Sequence, residues 1–371
     1  MAQGESCIAR LPALVEELPP DEKALFHRLY HLSVTTGELR LPKAMIPWVE
    51  KNFGSPDQVE RQKIVKLTNK VTLEGALFNA LRANRPIQVR ERLSVWAHLI
   101  DESKDDPLND PVNLTPEDTF GRIKGKHSIT ASNIAKYDGL HAMAIFDEHN
   151  PLLFDRERIM DYIDTAWRWA TAAHHADPRA KYPFFMWNCL WRAGASLAHG
   201  HAQLVLGRDI HYAKIEGLRR AALSYRALYR ANYFDDLYRV HQALGCGFEK
   251  EGTRVLAHLT PVKEKEIVLI ADRLSPSLKE RSYEALACFR DSLGVISFNL
   301  AVYGGPMGAA EEDWEGFPVI ARMVDRGDPG SRASDFGTME LYATPVIAFD
   351  PFLVAQALRR CLLEEKPNGP C

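Results

Sequence analysis

The sequence predicts an α+β protein that contains two diverged copies of one unit, preceded by a helical N-terminal extension. Strand-like and helix-like segments follow one another in the order strand, helix, strand, loop and strand, and this order occurs twice along the chain. The segments before them are rich in helix-forming residues. We therefore expect three parts, which are residues 1–82 as the extension, 83–210 as the first unit and 211–371 as the second unit.

The N-terminal extension shows helical patterning from about residue 20 to residue 81. Asp21 follows a pair of prolines, which is typical of the beginning of a helix. Residues 56–71 (PDQVERQKIVKLTNKV) are rich in helix formers. A helical stripe of large side chains is formed by Leu25, Leu29, Tyr30 and Leu32. No motif with evident chemistry lies in this part.

The first unit begins where β-branched and aromatic residues become frequent. Residues 104–118 (KDDPLNDPVNLTPED) form a polar loop rich in proline. Residues 155–175 predict a helix, with Asp155 as its N-cap. Four segments predict strands, and they are residues 85–100, 141–150, 182–188 and 198–207.

The second unit repeats this order after a helical stretch that is rich in arginine and tyrosine. A helix is predicted over residues 275–293, with Ser275 at the N-cap and Pro276 at the first helical position. Four segments predict strands, and they are residues 254–262, 266–274, 295–305 and 316–327. The order matches that of the first unit, although few residues are identical.

Composition and charge exclude several classes of function. The 46 Lys and Arg residues nearly balance the 49 Asp and Glu residues, for a formal charge of −3, so we expect no nucleic-acid partner. No apolar run approaches the roughly 20 residues that a membrane span needs, so we expect no membrane association. Glu5, Glu16 and Glu17 interrupt any signal peptide. The six cysteines lie far apart, which indicates reduced thiols and a cytoplasmic protein.

The most informative segment places two imidazoles and an amide at alternate positions. Side chains alternate between the two faces of a strand, so His199, His201 and Gln203 are predicted to share one face. Ala202 and Leu204 would form the opposite, apolar face. Before this strand, Asn188, Gly194 and Ser196 lie in a bend where N–H groups and a hydroxyl can bind an anion.

This pattern suits nucleophilic catalysis on phosphorus. A neutral imidazole has an ordinary pKa of about 6.5, so much of it is unprotonated at neutral pH and available to attack. The phosphoramidate that results can pass its group to a second acceptor, which divides one difficult displacement into two easier ones. Amide and hydroxyl donors would stabilise the phosphoryl oxygens. Two half-buried structural histidines are the alternative interpretation.

The HxHxQ motif after Asn188 and the Gly-x-Ser of residues 194–196 resembles the histidine-triad (HIT) superfamily. Within it, the chain is most similar to galactose-1-phosphate uridylyltransferases and to dinucleoside-polyphosphate or sugar-nucleotide phosphorylases. Hydrolases of the superfamily usually have a third histidine where this chain has Gln203. The resemblance covers most of the chain after about residue 75. It implies two tandem HIT-like units with antiparallel sheets and packed helices.

Carried over position by position, the resemblance implies specific roles. His201 would be the nucleophile that becomes nucleotidylated, and His199 would orient and support it. Gln203 would contact the transferred phosphate. Asn188 and Ser196, beside Gly194, would hold the phosphate of a substrate. The second unit has no HxH pair, so we expect one active site per chain.

Zinc is the one cofactor that the resemblance raises. In the uridylyltransferases, a histidine at the position of His149 binds zinc together with the first histidine of the HxH pair, here His199. The two further ligands come from a CxxC motif that this chain lacks, and residues 104–118 contain Asp, Asn and Pro but no Cys in that region. The sequence therefore predicts that no cofactor is required and that the chain folds without zinc.

The expected activity is transfer of a nucleoside monophosphate between small phosphate-bearing molecules. The acceptor would be a sugar 1-phosphate or inorganic phosphate, and a homodimer is a candidate assembly. Two alternatives stay open, which are a nucleotide hydrolase of the same superfamily and a catalytically inactive nucleotide sensor. The Arg/Tyr-rich stretch of residues 219–239 also admits RNA binding through stacking, but its spacing favours an amphipathic helix.

Overall fold

A computed structural model of the chain describes residues 6–84, 100, 103, 106–331 and 334–364. The described residues form a four-stranded sheet and a nine-stranded sheet, with helices packed against them. This confirms the α+β class. The strand predicted over residues 85–100 lies outside the described residues except at Ile100. Short 3₁₀ segments occur at Ile8–Arg10, Lys43–Met45, Ala80–Asn84, Pro107–Asn109 and Trp191–Ala193.

The N-terminal part contributes most of the smaller sheet. Its three strands lie side by side in chain order, and they are joined at the far edge by a short strand from the C-terminal region. The helices and strands of this part are α1 (Leu11–Glu16), α2 (Pro20–Leu29), β1 (Tyr30–Glu38), α3 (Ile46–Phe53), α4 (Pro56–Glu60), β2 (Arg61–Asn69) and β3 (Gly75–Phe78).

The prediction of a helical N-terminal extension is therefore wrong for much of residues 30–78. The sequence of β2 contains residues such as Lys63 and Lys66, which favour a helix, although its alternation of polar and apolar residues is typical of a strand. In the fold, β2 pairs with β1 along nine residues, and Val65 and Leu67 are buried in an apolar cluster. Tertiary pairing and burial thus override an intrinsic propensity worth only tenths of a kcal/mol per residue.

The first of the two repeated units agrees with the predicted order of elements. The side chain of Asp155 caps its long helix by accepting the N–H of Arg158. Its elements are α5 (Pro111–Leu114), β4 (Ser128–Ser132), β5 (Leu140–Phe146), α6 (Arg156–Ala176), β6 (Ala180–Asn188) and β7 (His201–Arg208).

Two helices then connect to the second unit. They are α7 (Ala213–Tyr229) and α8 (Tyr233–Ala243), in the Arg/Tyr-rich stretch that was predicted to be helical. Arg219, Tyr225 and Tyr233 of this stretch are buried. These side chains therefore pack within the protein, which removes them from any surface that could stack nucleic-acid bases.

The second unit repeats the same order in its strands and its helix. Ser275 caps the helix as predicted, through its hydroxyl and the N–H of Leu278. The elements are β8 (Gly247–Lys250), β9 (Thr253–Ala257), β10 (Ile267–Ala271), α9 (Pro276–Asp291), β11 (Phe298–Tyr303), β12 (Val319–Asp325), α10 (Thr338–Tyr342), β13 (Val346–Ile347) and α11 (Pro351–Leu362).

The nine-stranded sheet shows how the two units are related. Its order is β4-β5-β7-β6-β11-β12-β10-β9-β8, and all neighbouring strands are antiparallel. The order of the first four strands is reversed in the next four, because β6 corresponds to β11 and β7 to β12. The pair Met186 and Ala301 lies at the centre of the junction. The division at residues 82/83 and 210/211 remains a prediction.

The two faces of this sheet are covered differently. On one face, α6, α9 and α11 pack over both halves and form the larger apolar core. On the other face, the N-terminal sheet with α2, α7 and α8 packs against the second half through a separate cluster. The first half has only a small apolar cluster on that face among the described residues, around Leu108, Ala131 and Ile145.

No helix among the described residues combines the length and the apolar character needed to cross a bilayer. The described cysteines form no disulfide with one another.

Candidate functional site

Strand β7 places His201 and Gln203 on the face of the sheet away from the helices. Ala202, Leu204 and Leu206, on the other face, are buried in the core beneath α6. This confirms the predicted alternation, because the apolar side of the strand packs on a helix. The prediction is wrong for His199, because the strand begins at His201 and not at residue 198, and the ring of His199 contacts a different group of residues from that of His201.

The backbone fixes which nitrogen of His201 is available. Its Nδ1 lies 2.8 Å from the carbonyl oxygen of His199, and a carbonyl only accepts, so Nδ1 carries the proton. In the neutral ring, Nε2 is then the unprotonated nitrogen. The side chain is 6% exposed, and burial lowers the pKa of His201 below its ordinary value. The imidazole is therefore held neutral, with one nitrogen free to attack.

His199 forms a buried cluster with His149 and Asp106. The two Nδ1 atoms of the histidines are 3.2 Å apart, and the ligand atoms of the three residues lie within 4.8 Å of one another. Oδ1 of Asp106 caps the 3₁₀ segment at Leu108, while Oδ2 is buried without a hydrogen-bond partner. Asp106 belongs to the Asp-rich loop that the sequence analysis could not assign to a ligand role.

The hydrogen bonds of this cluster suit a metal ion. Nε2 of His149 lies 2.8 Å from the carbonyl of Ile100, and Nε2 of His199 lies 3.0 Å from that of Phe146. Both Nε2 atoms are therefore donors, so in the neutral rings two Nδ1 lone pairs face each other. Two nitrogens bound to one tetrahedral zinc lie about 3.3 Å apart. The donor set thus fits a cation, and an anionic oxygen faces the same point.

Gln203 contacts two side chains that the sequence analysis did not single out. Its Oε1 lies 2.7 Å from Nε2 of His141 and 2.9 Å from Nδ2 of Asn133. His141 is on β5, two strand positions from the residue that pairs with Gln203, and it is fully buried. Only the pairing of β5 with β7, which no local pattern reveals, brings these residues together.

Asn188 ends β6 and is held by residues of the second unit. Its Oδ1 accepts a hydrogen bond of 2.7 Å from Nδ2 of Asn299, and Arg326 donates to Oδ1 of Asn299 over 2.6 Å. The nitrogen of the Asn188 amide faces Gly194, where an added Cβ would lie 3.9 Å from it. The second unit therefore orients an amide donor of the first.

The bend between β6 and β7 has the predicted form. Gly194 ends the 3₁₀ segment with φ of 102°, a left-handed conformation that favours glycine. Ser196 is exposed in the following turn. The bend therefore leaves Ser196 accessible from solvent, two residues after Gly194 and before His201.

The second unit carries different residues at the matching positions. Met186 pairs with Gln203, and its counterpart Ala301 pairs with Arg322. Ile320 then takes the place of His201. The predicted absence of a nucleophile in the second unit agrees with this register.

Comparison with solved structures identifies proteins of the same fold. An ADP-glucose phosphorylase from Arabidopsis thaliana with bound ADP-glucose superposes with a TM-score of 0.59 at 14% identity, over 79% of this chain and 97% of that one. A GalT-like protein from the same plant gives 0.55 at 13%, over 71% and 94%. A uridylyltransferase gives 0.52 at 13%, over 67% and 90%. The predicted resemblance is thus confirmed at the level of the fold. No protein-family model and no curated protein sequence matches the chain.

Proposed function

We propose that the chain is a nucleotidyltransferase that forms a covalent intermediate on His201. It would move a nucleoside monophosphate from an activated nucleotide, either an NDP-sugar or a dinucleoside polyphosphate, to a sugar 1-phosphate or to inorganic phosphate. The observation that carries the proposal is the hydrogen bond from His201 Nδ1 to the His199 carbonyl, which leaves Nε2 unprotonated on the face of β7 that is turned away from the helices. The folds of the phosphorylase and the uridylyltransferase support the same reaction type.

In the first half-reaction, Nε2 of His201 attacks the α-phosphorus of the donor. The N–P bond forms as the bond between that phosphorus and its bridging oxygen breaks, and the leaving group departs with both electrons, as a sugar 1-phosphate from an NDP-sugar or as a nucleoside polyphosphate from a dinucleoside polyphosphate. The proton on Nδ1 stays with the imidazole, because the His199 carbonyl holds it. The positive charge that develops on the ring is stabilised by this hydrogen bond.

In the second half-reaction, a phosphate oxygen of the acceptor attacks the same phosphorus, and the N–P bond breaks. The amides of Gln203 and Asn188 present N–H groups to the oxygens that gain charge. Ser196, in the exposed turn, would bind the phosphate of the acceptor. Hydrolysis differs only in that water replaces the acceptor, and a sensor would bind nucleotide without forming the adduct.

We further propose that Asp106, His149 and His199 bind a zinc ion. The ion would join the loop of Asp106 to the end of β5 and to the residue before β7, which supplies structural rigidity rather than a reacting group. It would thereby fix the His199 carbonyl that holds His201. Elemental analysis decides between this proposal and the expectation from the sequence that the chain folds without zinc.

Intact-mass measurement tests the covalent intermediate. Protein incubated with NDP-sugars and with dinucleoside polyphosphates should gain the mass of one nucleoside monophosphate, in a bond that acid cleaves and alkali does not. His201→Ala should gain none, while His175→Ala, a control at the exposed end of α6, should react like the wild type. Loss of the adduct in buffer alone indicates a hydrolase. Binding without an adduct indicates a sensor, and an adduct that persists in His201→Ala contradicts the assignment.

A further inference from the structure

Asn133, His141 and Gln203 form a small hydrogen-bonded group on the face of the first unit that carries His201. Two donors, one from each of Asn133 and His141, meet at the single atom Oε1 of Gln203. Gln203 is half-buried, and His141 is fully buried. The chemistry of this group depends on which end of the Gln203 amide is oxygen, and the backbone around it decides that question.

The first constraint comes from the backbone N–H of Tyr137. It lies 2.9 Å from Nδ1 of His141, and a backbone N–H can only donate, so Nδ1 must accept. A neutral His141 therefore carries its proton on Nε2. Burial lowers the pKa of His141, which favours this neutral form. The Nε2–H group then requires an acceptor, and the atom of Gln203 that it meets must be the oxygen.

A second constraint leads independently to the same orientation. The backbone N–H of Ala135 donates to Asn133 over 2.9 Å, so that end of the Asn133 amide is its oxygen. The other end is the NH2 group, and it faces Gln203. Both neighbours thus present donors to Gln203 and hold its oxygen. The nitrogen of the Gln203 amide is left for a ligand on the face that carries His201.

We propose that His141 and Asn133 are positioning residues that hold the Gln203 amide with its NH2 group toward the phosphoryl oxygens. This inference rests on the proposed function. A freely rotating amide would turn its carbonyl oxygen toward the anionic phosphoryl group part of the time, and the like partial charges would repel. A donor fixed before the reaction avoids that cost, which is how preorganised sites stabilise developing charge.

In the second unit, the three corresponding positions also carry hydrogen-bonded side chains, and there the outward donor has an acceptor. Asn133 corresponds to His258 and His141 to Glu266, since the N–H of each first residue donates 3.0 Å to the carbonyl of the second. Arg322 replaces Gln203. Its Nε donates to Glu266 over 2.7 Å, and its Nη1 donates to the carboxylate of Glu74 over 2.9 Å. In the second unit, the donor at the position of Gln203 is therefore held by the residue that corresponds to His141, and it reaches an anionic oxygen of Glu74.

The test uses two variants that disturb the hydrogen bonds holding the Gln203 amide in different ways. His141→Phe removes the Nε2–H donor but keeps an aromatic ring stacked on Tyr137. Asn133→Asp keeps the oxygen that caps Ala135 and turns a second oxygen toward Gln203. Asn232→Asp is the matched control, because Asn232 also caps a backbone N–H two residues on and donates from Nδ2 to a carbonyl, at Gly316.

In single-turnover adduct formation, His141→Phe and Asn133→Asp should each be slower by about 10²-fold, with little change in the KM of the donor. Asn232→Asp should react at the rate of the wild type. In a Gln203→Ala background, the two variants should cause no further loss, because the group that they position is gone. Rates within about twofold of the wild type, or an equal loss in the Gln203→Ala background, would overturn the proposal.

A second readout does not depend on catalysis. In protein with ¹⁵N-labelled glutamine side chains, the NH2 signals of Gln203 are those that disappear in Gln203→Ala. We expect them to shift or broaden in His141→Phe and in Asn133→Asp but not in Asn232→Asp. Unchanged signals in both variants would overturn the proposal that His141 and Asn133 hold the Gln203 amide. If the wild type forms no adduct with any donor, the proposed function fails, and these signals still test the orientation of the amide.

Discussion

Gln203 and Ser196 are held differently by the chain around them. Gln203 is fixed through its oxygen on the strand that carries His201, only two residues away, whereas Ser196 is exposed in the turn before that strand. A fixed donor close to the proposed nucleophile, His201, suits the chemical step. An exposed hydroxyl outside the strand suits binding of the second phosphate.

We therefore predict that Gln203→Ala slows adduct formation with the donor alone by about 10²–10³-fold. Ser196→Ala should leave that half-reaction nearly unchanged and raise the KM for the acceptor in the complete reaction. Single-turnover kinetics with the donor, followed by steady-state kinetics with both substrates, separate the two effects. An equal slowing of donor-only reaction in both variants would show that the two residues serve one phosphate.

Asp106 provides the residue-scale test of the zinc proposal. Asp106→Asn keeps the size of the side chain and the cap at Leu108 but removes the negative charge that faces the two histidines. Wild-type protein should contain about one zinc per chain, and zinc at a hundred times its Kd should stabilise it by about 2.7 kcal/mol. The same zinc concentration should stabilise Asp106→Asn less.

Asp110→Asn is the control for this experiment, because Asp110 caps the neighbouring helix α5 and lies outside the cluster. Its zinc content and its response to a chelator should match those of the wild type. Wild-type protein purified without zinc, and with a melting temperature that zinc and chelator leave unchanged, would instead support the expectation drawn from the sequence.

At the scale of single elements, alternation along β7 was predictable from the sequence because it is local. The period of two residues and the small apolar residues opposite His201 and Gln203 define that strand without knowledge of its partners. The N-terminal strands were not predictable in this way. Val65 and Leu67 of β2 are buried because their sheet packs into an apolar cluster with residues from distant parts of the chain, such as Val268.

The same distinction explains which site residues were missed. His141, Asn133 and Asn299 become part of the site through strand pairing and through contact between the two units. Neither relation leaves a local pattern. Asp106 could have been singled out as an acidic residue before a proline, but Asp110 in the same loop fits that description equally well.

The entry into β7 offers a test at this scale. A Cβ at Gly200 would lie 2.7 Å from Cδ2 of Phe146 and 2.9 Å from the carbonyl oxygen of Glu148. Because Gly200 stands between His199 and His201, Gly200→Ala should displace both. We expect a loss of about 1–3 kcal/mol in the free energy of unfolding and slower adduct formation.

Gly217→Ala is the matched control for this change, since a Cβ there meets no atom within 4 Å and the residue lies within helix α7. It should be neutral or stabilising by about 0.5–1 kcal/mol. Urea unfolding and single-turnover kinetics measure both variants. Normal adduct formation in a destabilised Gly200→Ala protein would show that the close packing around Gly200 does not determine the position of the His201 ring.

For the molecule as a whole, the two units share a sheet but differ in what covers the face opposite the helices. In the second unit, the N-terminal sheet packs against that face and places Glu74 beside Arg322 and His258. The chain thus supplies its own carboxylate where the first unit presents Gln203. The second unit thus carries an ion pair at the position where the first unit carries the neutral amide of Gln203.

This contact between the sheets predicts a pH-dependent contribution to stability. Burial opposes the charge of Glu74, but Arg322 and then His258 more than offset it, so the pKa of Glu74 lies below its ordinary value. A carboxyl whose pKa is lower in the folded state stabilises the fold at neutral pH. That contribution is lost as the pH falls below the ordinary value of about 4.3 and through the lower folded value.

We predict that Glu74→Gln lowers the free energy of unfolding by about 1–3 kcal/mol at neutral pH, because Arg322 loses one of its two carboxylates. The difference from the wild type should shrink as the pH is lowered below about 4.3, because the unfolded wild type then binds a proton at Glu74 that the folded protein does not. Glu38→Gln is the control, since its pair with Arg61 is exposed and contributes at most about 1 kcal/mol. Urea unfolding across this pH range measures all three proteins. A difference that is the same at every pH would mean that the Glu74 carboxylate contributes through shape alone, and that its charge does not hold the two sheets together.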